Sequence, residues 1–183
     1  QRLLEQKRED RARAIVLTGA GKAFSAGGDF AWCPTLDDLG KLGHLRRDAK
    51  QMIWDLLDVP LPIVAAINGP AVGVGATMTL PMDVRLASTN ARMGFVFTRR
   101  GIVPEACSSW FLPRVVGISQ AMRWVASGRV FPGEEAFAGG LVSELREPDA
   151  LLPRAREIAA EVAENTSAVS LALSRQMLWK MLG

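Results

Sequence analysis

Two stretches of small residues are the parts of this sequence best suited to chemistry. They are Gly21-Lys22-Ala23-Phe24-Ser25-Ala26-Gly27-Gly28-Asp29 and Asn68-Gly69-Pro70-Ala71-Val72-Gly73-Val74-Gly75. Each follows an apolar run that reads as a buried strand, and each leads toward a helix or helix-like stretch. Small side chains let a ligand approach the backbone, and a helix N-terminus offers unpaired N–H donors with a favourable dipole. Two such donors converging on one point would stabilise an oxyanion. Either loop alone is explained as well by glycines making tight turns. A phosphate cradle fits neither: Gly19-Ala20-Gly21-Lys22 lacks the spacer and the following Ser or Thr of a P-loop, and Phe24 breaks the dinucleotide fingerprint that Gly19-Ala20-Gly21 would begin.

Among acids, Glu105 stands out. It follows Pro104 and reads as part of the first turn of a helix over about 105–114. Two readings are open from the residues alone: an acid favoured there by the helix dipole, and a general base. The other reactive side chains have plainer explanations. Asp29 closes a turn, Glu134 and Glu135 are helix-start acids, and Cys107 is a small packing residue. Trp110 and Phe111 read as core or pocket wall. The single histidine, His44, lies on an expected helix face, and no serine elbow supports a Ser–His–Asp triad. Asn165-Thr166-Ser167 matches a glycosylation sequon that carries little weight without a secretion signal.

These residues need a frame. Strands are expected at 13–18, 62–67, 83–87, 92–95 and 141–145, and helices at 1–10, 42–57, from Gly73 through Leu80, at 105–114, 118–127, 132–138, around Ala155–Val162, and at 168–182. Alternating strands and helices argue an α/β fold. The length of 183 residues suits one domain, and 49% hydrophobic against 22% charged residues can bury a core. A net charge of +3, with basic pairs such as Arg46-Arg47 and Arg99-Arg100 and no longer basic run, asks for neither nucleic acid nor a membrane surface. Cys33 and Cys107 make no disulfide framework and have no metal-ligand spacing. With no apolar run of about 18 residues and no signal-peptide pattern, a reducing, cytoplasmic location is expected. The opening from Gln1 reads as the last turns of a helix, as in a chain that begins inside a domain.

Taken in order, Lys22-Ala23-Phe24-Ser25-Ala26-Gly27-Gly28-Asp29, Pro62-Ile63-Val64-Ala65-Ala66-Ile67-Asn68-Gly69, Asp83-Val84-Arg85-Leu86-Ala87 and Gly139-Gly140-Leu141-Val142 resemble the enoyl-CoA hydratase/isomerase, or crotonase, family over nearly the whole chain. The resemblance implies a spiral of ββα turns, here lacking the family's first strands and last helices. Residues 1–150 would form the acyl-CoA-binding core, and 151–183 the start of a C-terminal helical, oligomerising region. The thioester oxygen would sit between the backbone N–H groups of Ala26 and Val74, where Val74 replaces a frequent glycine. Ala26, Gly27, Gly28, Asp29, Gly73, Val74 and Phe97 would contact substrate. No permanently bound cofactor and no metal is implied, coenzyme A entering as part of the substrate. With complete chain ends a homotrimer or dimer of trimers is expected.

The two glutamates of the family's hydratases fall at Thr77 and Phe97, and neither can act as a base. Pro104-Glu105-Ala106-Cys107-Ser108-Ser109 instead resembles the segment with the single catalytic glutamate of Δ3,Δ2-enoyl-CoA isomerases. Glu105 is then the expected proton shuttle. A hydratase with an atypical water site and a non-catalytic acyl-CoA-binding relative are the alternatives. Dehalogenation is a further alternative: in the related 4-chlorobenzoyl-CoA dehalogenases the same helix start carries an aspartate nucleophile, and a histidine and a tryptophan are also used.

Overall fold

A computed structural model describes residues 12–28 and 51–180. The expected helix at 1–10, Asp29, Cys33, His44 and Arg46-Arg47 lie outside the described residues.

Strand β1, Ile15–Thr18, and strand β2, Ile63–Ile67, run parallel. Strand β4, Val84–Ser88, continues the sheet on the other side of β2, and β7, Glu144–Arg146, closes the order β1-β2-β4-β7 with every pairing parallel. A second, smaller sheet has the order β3-β5-β6, from Ala71–Val72, Arg92–Gly94 and Val130–Pro132. These strands and the helices between them form the expected α/β architecture, with 7 strands among the described residues.

β2 shows why the sheet sits where it does. All five of its residues are buried, as a parallel strand covered on both faces requires. Its odd positions Ile63, Ala65 and Ile67 face the large core, with residues 51–58, which are helical and named α1 here, among the neighbours in that core. Its even positions Val64 and Ala66 face Leu151 and Ala155 of helix α6, Pro148–Asn165. The period-two side-chain alternation of a strand thus splits the interior into two clusters. Helix α6 begins three residues before the division expected at 150/151, and its first turns complete the covering of the sheet.

The smaller sheet carries the aromatic part of the core. Phe95, Trp124 and Phe131 are buried, and the Trp124 and Phe131 rings stack at 4.4 Å. Trp124 belongs to helix α4, Ile118–Ser127, which follows helix α3, Ser108–Val116. Glu135, in the short helix α5, Gly133–Ala138, accepts the Trp124 indole N–H at 2.7 Å and pairs with Arg129.

Several expected boundaries are corrected. The helix after Gly73 is α2, Val74–Thr77, and does not run to Leu80. Beyond it the chain turns: Thr79 N–H and its hydroxyl both donate to Ala76 O, and the Arg85 guanidinium collects the carbonyls of Thr79, Leu80 and Met82. Thr79 and Leu80 N–H close i→i−3 bonds, to Ala76 O and Thr77 O, in place of the i→i−4 bonds that a helix through Leu80 needs. The expected strand at 141–145 is found as Glu144–Arg146, because Leu141 and Val142 turn back to donate to Ala136 O. The strands Ala71–Val72 and Val130–Pro132 have too few residues to leave a periodic signal. The last helix, α7, spans Ala168–Lys180 among the described residues.

Candidate active site

The two small-residue loops meet. Asn68 binds the first loop twice, accepting Gly19 N–H at 3.0 Å and donating to Gly21 O at 2.9 Å. Pro70 O accepts from both Phe24 and Ser25, and Ser25 O accepts from Val72, as in a one-residue parallel bridge between Ser25 and Ala71. The loops then pack too closely for side chains. A Cβ on Gly75 would lie 2.2 Å from Ser25 O. One on Gly27, whose φ is +98°, would lie 2.7 Å from Val72 O.

This packing leaves several loop donors over, those of Ala26 and Val74 among them. The N–H of Gly73 is used by Gly94 O, and those of Ala76 and Thr77 by Gly73 O. Among the described residues, no acceptor is paired with the N–H of Ala26 or of Val74. Val74 opens α2, where the first N–H groups of a helix have no internal partner. Gly28 is exposed at the end of the described first loop, and Gly73 is buried beneath it.

Glu105 meets α2 at Thr77. Its Oε1 accepts the Thr77 hydroxyl at 2.6 Å, and Thr77 is one helical turn past Val74 on α2. Among the described residues, its Oε2 is buried with no hydrogen-bond partner. Burial raises the pKa of this carboxyl above the ordinary glutamate value, and the hydrogen bond from Thr77 partly opposes the shift.

Glu105 does not lie in the first turn of a helix, as expected; α3 starts at Ser108. Between them Ala106 and Cys107 both adopt left-handed backbone, with φ of 52° and 55°. Each such residue costs about 1–2 kcal/mol when it has a Cβ. The turn is held by Ser108, whose N–H and hydroxyl both donate to Glu105 O, at 2.9 and 2.6 Å. The dipole explanation for this acid therefore loses its basis, since Glu105 precedes the helix by a strained turn.

Phe97 is only 4% exposed and packs in the large core with Ala106, Phe111 and Leu112. Trp110 stacks edge-on against Phe111 at 4.8 Å and lies under the Arg114 guanidinium. Cys107 packs partly buried against the core. Thr77 is the residue that sequence reasoning passed over. Its signal was its position, where the hydratase resemblance places a glutamate. Among the described residues, no three His, Cys, Asp or Glu side chains come together as a metal site would require.

The wholly parallel four-stranded sheet, the smaller second sheet and the helices between their strands are the crotonase-like α/β fold. The family model for enoyl-CoA hydratase/isomerase matches residues 1–181, and the chain belongs to that family. It is 40% identical over 176 residues to an enoyl-CoA hydratase of Alternaria alternata, covering 95% of this chain and 59% of that relative. It is 32% identical to a 1,2-epoxyphenylacetyl-CoA isomerase of Escherichia coli, over 88% of this chain and 63% of that relative. The solved structure of an enoyl-CoA hydratase from Bacillus anthracis superposes with a TM-score of 0.91 at 31% identity, over 97% of this chain and 69% of that one. The chain thus spans about three fifths of the length of these curated relatives.

Proposed function

We propose that this chain binds an acyl-CoA thioester and isomerises a 3-enoyl-CoA to the conjugated 2-enoyl-CoA with one base, Glu105. The observation that carries the reading is the Glu105 carboxylate itself. One oxygen is held by Thr77 and the other is buried without a partner among the described residues, while the two positions of a hydratase glutamate pair hold Thr77 and Phe97.

The chemistry follows from these groups. Glu105 as carboxylate takes a proton from C2 of the substrate. The electron pair of that C–H bond moves into the C2–C1 bond, and the thioester carbonyl becomes an enolate oxygen. Ala26 and Val74 N–H groups stabilise that oxygen, a donor of this kind being worth about 10²–10³ in rate. Return of the proton to C4 re-forms the carbonyl and moves the double bond from C3–C4 to C2–C3, with no net change in atoms. A raised carboxyl pKa suits a group that must both accept and return a proton. Gly27, Gly28, Asp29 and Gly73 would line the thioester side. Phe97 would keep water from the base by its bulk.

Hydration is the second reading, favoured by the names of several relatives. It would require Glu105 alone to orient a water that adds across the double bond. For the assembled protein we propose a trimer or dimer of trimers. On α7, Val169, Leu173 and Met177 form one exposed apolar stripe at four-residue spacing, as an intersubunit face would.

Glu105→Gln tests the base. The amide keeps the shape and can still bond Thr77, so acyl-CoA binding, followed by calorimetry, is expected to survive while turnover falls at least a hundredfold. Turnover unchanged in the variant would remove Glu105 from the mechanism. An absence of turnover in the unaltered protein, with binding intact, would favour the non-catalytic relative.

A further inference from the structure

We infer that Thr77 is a positioning residue that holds Oε1 of Glu105 and thereby makes Oε2 the single oxygen that takes and returns the proton. The inference rests on the proposed isomerase reading and names how its base is aimed. The two carboxyl oxygens differ sharply in their surroundings. Oε1 lies 2.6 Å from the Thr77 hydroxyl, a short, charge-assisted distance. Oε2 is buried and has no hydrogen-bond partner among the described residues. A buried acceptor left unpaired is costly in a folded protein, and such atoms concentrate where a ligand supplies the missing contact.

The Thr77 hydroxyl has one hydrogen and two acceptors in reach. Val74 O stands at 3.4 Å and Glu105 Oε1 at 2.6 Å, so the carboxylate takes it. The hydroxyl cannot turn away freely, because Thr77 is fully buried in α2. The backbone side is fixed too: Ser108 grips Glu105 O with its N–H and hydroxyl across the left-handed pair Ala106 and Cys107. Glu105 is therefore anchored at its main-chain carbonyl and at one carboxyl oxygen, leaving the other oxygen to react.

A proton moved between C2 and C4 by one base travels a short arc, and a carboxylate free to spin would spend most of its time misaligned. The hydrogen bond also favours the ionised form, working against burial, which alone pushes the carboxyl up. Those are the two causes at work on Glu105, and no charged side chain among the described residues enters. The titratable neighbour in sequence is Cys107, packed against the core.

The experiment compares Thr77→Val, which keeps the side-chain shape without the hydroxyl, and Thr77→Ser, which keeps the hydroxyl. Isomerisation of a 3-enoyl-CoA is followed from pH 5 to 9, and the Glu105 carboxyl is titrated directly by 13C NMR in each protein, with Glu105→Gln assigning the resonance. The expected result for Thr77→Val is kcat lower by roughly tenfold or more, KM little changed, and both the acidic limb of kcat and the Glu105 titration moved to higher pH. Thr77→Ser should restore most of both. Unaltered kcat and an unmoved Glu105 titration in Thr77→Val would overturn the inference while leaving the isomerase reading intact. Failure of the unaltered protein to isomerise would overturn that reading instead. The NMR titration would then still decide whether Thr77 holds the carboxyl, an unmoved titration refuting it.

Discussion

Glu105 carries a cost that can be measured apart from catalysis. Its folded-state pKa is raised, so the native protein binds this proton more tightly than the unfolded chain does. Stability then falls as pH rises from the ordinary glutamate value through the raised one, and the full penalty stands above it. Glu105→Gln is accordingly expected to melt higher than the unaltered protein at pH 8, with the difference shrinking toward pH 4. Equal melting temperatures at both pH values would mean the carboxylate is better solvated than its burial implies. In the proposed mechanism the same raised pKa would move the acidic limb of turnover upward from the ordinary glutamate value. This residue was legible in part. Pro104-Glu105 drew attention to the acid that the structure sets against Thr77, but Ala and Cys give no hint of left-handed backbone, which normally calls for Gly or Asn, so the helix was expected three residues too early.

At the scale of elements, the site depends on how closely two loops and one short helix approach. Gly75→Ala would set a Cβ 2.2 Å from Ser25 O, a backbone atom that cannot swing aside. The loops would have to part, at a cost of about 1–3 kcal/mol, and the donors of Ala26 and Val74 would part with them. Loss of turnover with acyl-CoA affinity also weakened is the expected kinetic result. Wild-type kinetics in this variant would show that the loop contact does not position the donors. The loop pair was readable because its glycines and Asn68-Gly69 serve backbone needs that few other residues meet. Thr77 was not, because a hydroxyl that bonds an acid 28 residues away leaves no local pattern. The end of α2 was hidden because Thr79 and Leu80 N–H turn to acceptors three residues back, a tightening that apolar periodicity does not register, while the Arg85 guanidinium holds the carbonyls of the turn beyond. Burial of that guanidinium lowers its pKa to about 10, with Asp83 opposing the shift, so it remains charged at neutral pH.

The molecule as a whole is tied together by Asp83. Its Oδ2 accepts Ile63 N–H at 2.7 Å and the Arg175 guanidinium at 2.8 Å, and its Oδ1 accepts the Trp179 indole N–H at 2.7 Å. Arg175, 5% exposed, also collects the carbonyls of Leu56, Leu57 and Val59 at the end of α1. One buried cation thus caps a helix and docks α7 onto the sheet. Arg175→Met would take from Asp83 its cationic partner and from those carbonyls their donor, and a loss of about 3 kcal/mol in denaturant unfolding is expected. A loss below about 1 kcal/mol would mean α7 contributes little to the fold. On the opposite side of α7, Leu173→Glu should dissociate the proposed assembly in sedimentation without changing the melting of the subunit. An unchanged sedimentation coefficient would remove that stripe from the interface. The α/β class and the order of elements were legible from periodicity, and the family motifs sit at the strand ends and turns that shape the site. Long-range ties such as Asp83 with Arg175 were not, since residues 92 apart in sequence share no spacing rule.

The most direct test of a single-base proton shift is the product formed from a 3-enoyl-CoA, followed together by mass and ultraviolet absorbance. The account predicts a conjugated 2-enoyl-CoA of unchanged mass, at a rate that Glu105→Gln abolishes. A product heavier by one water would contradict it and make Glu105 the holder of a hydrating water instead.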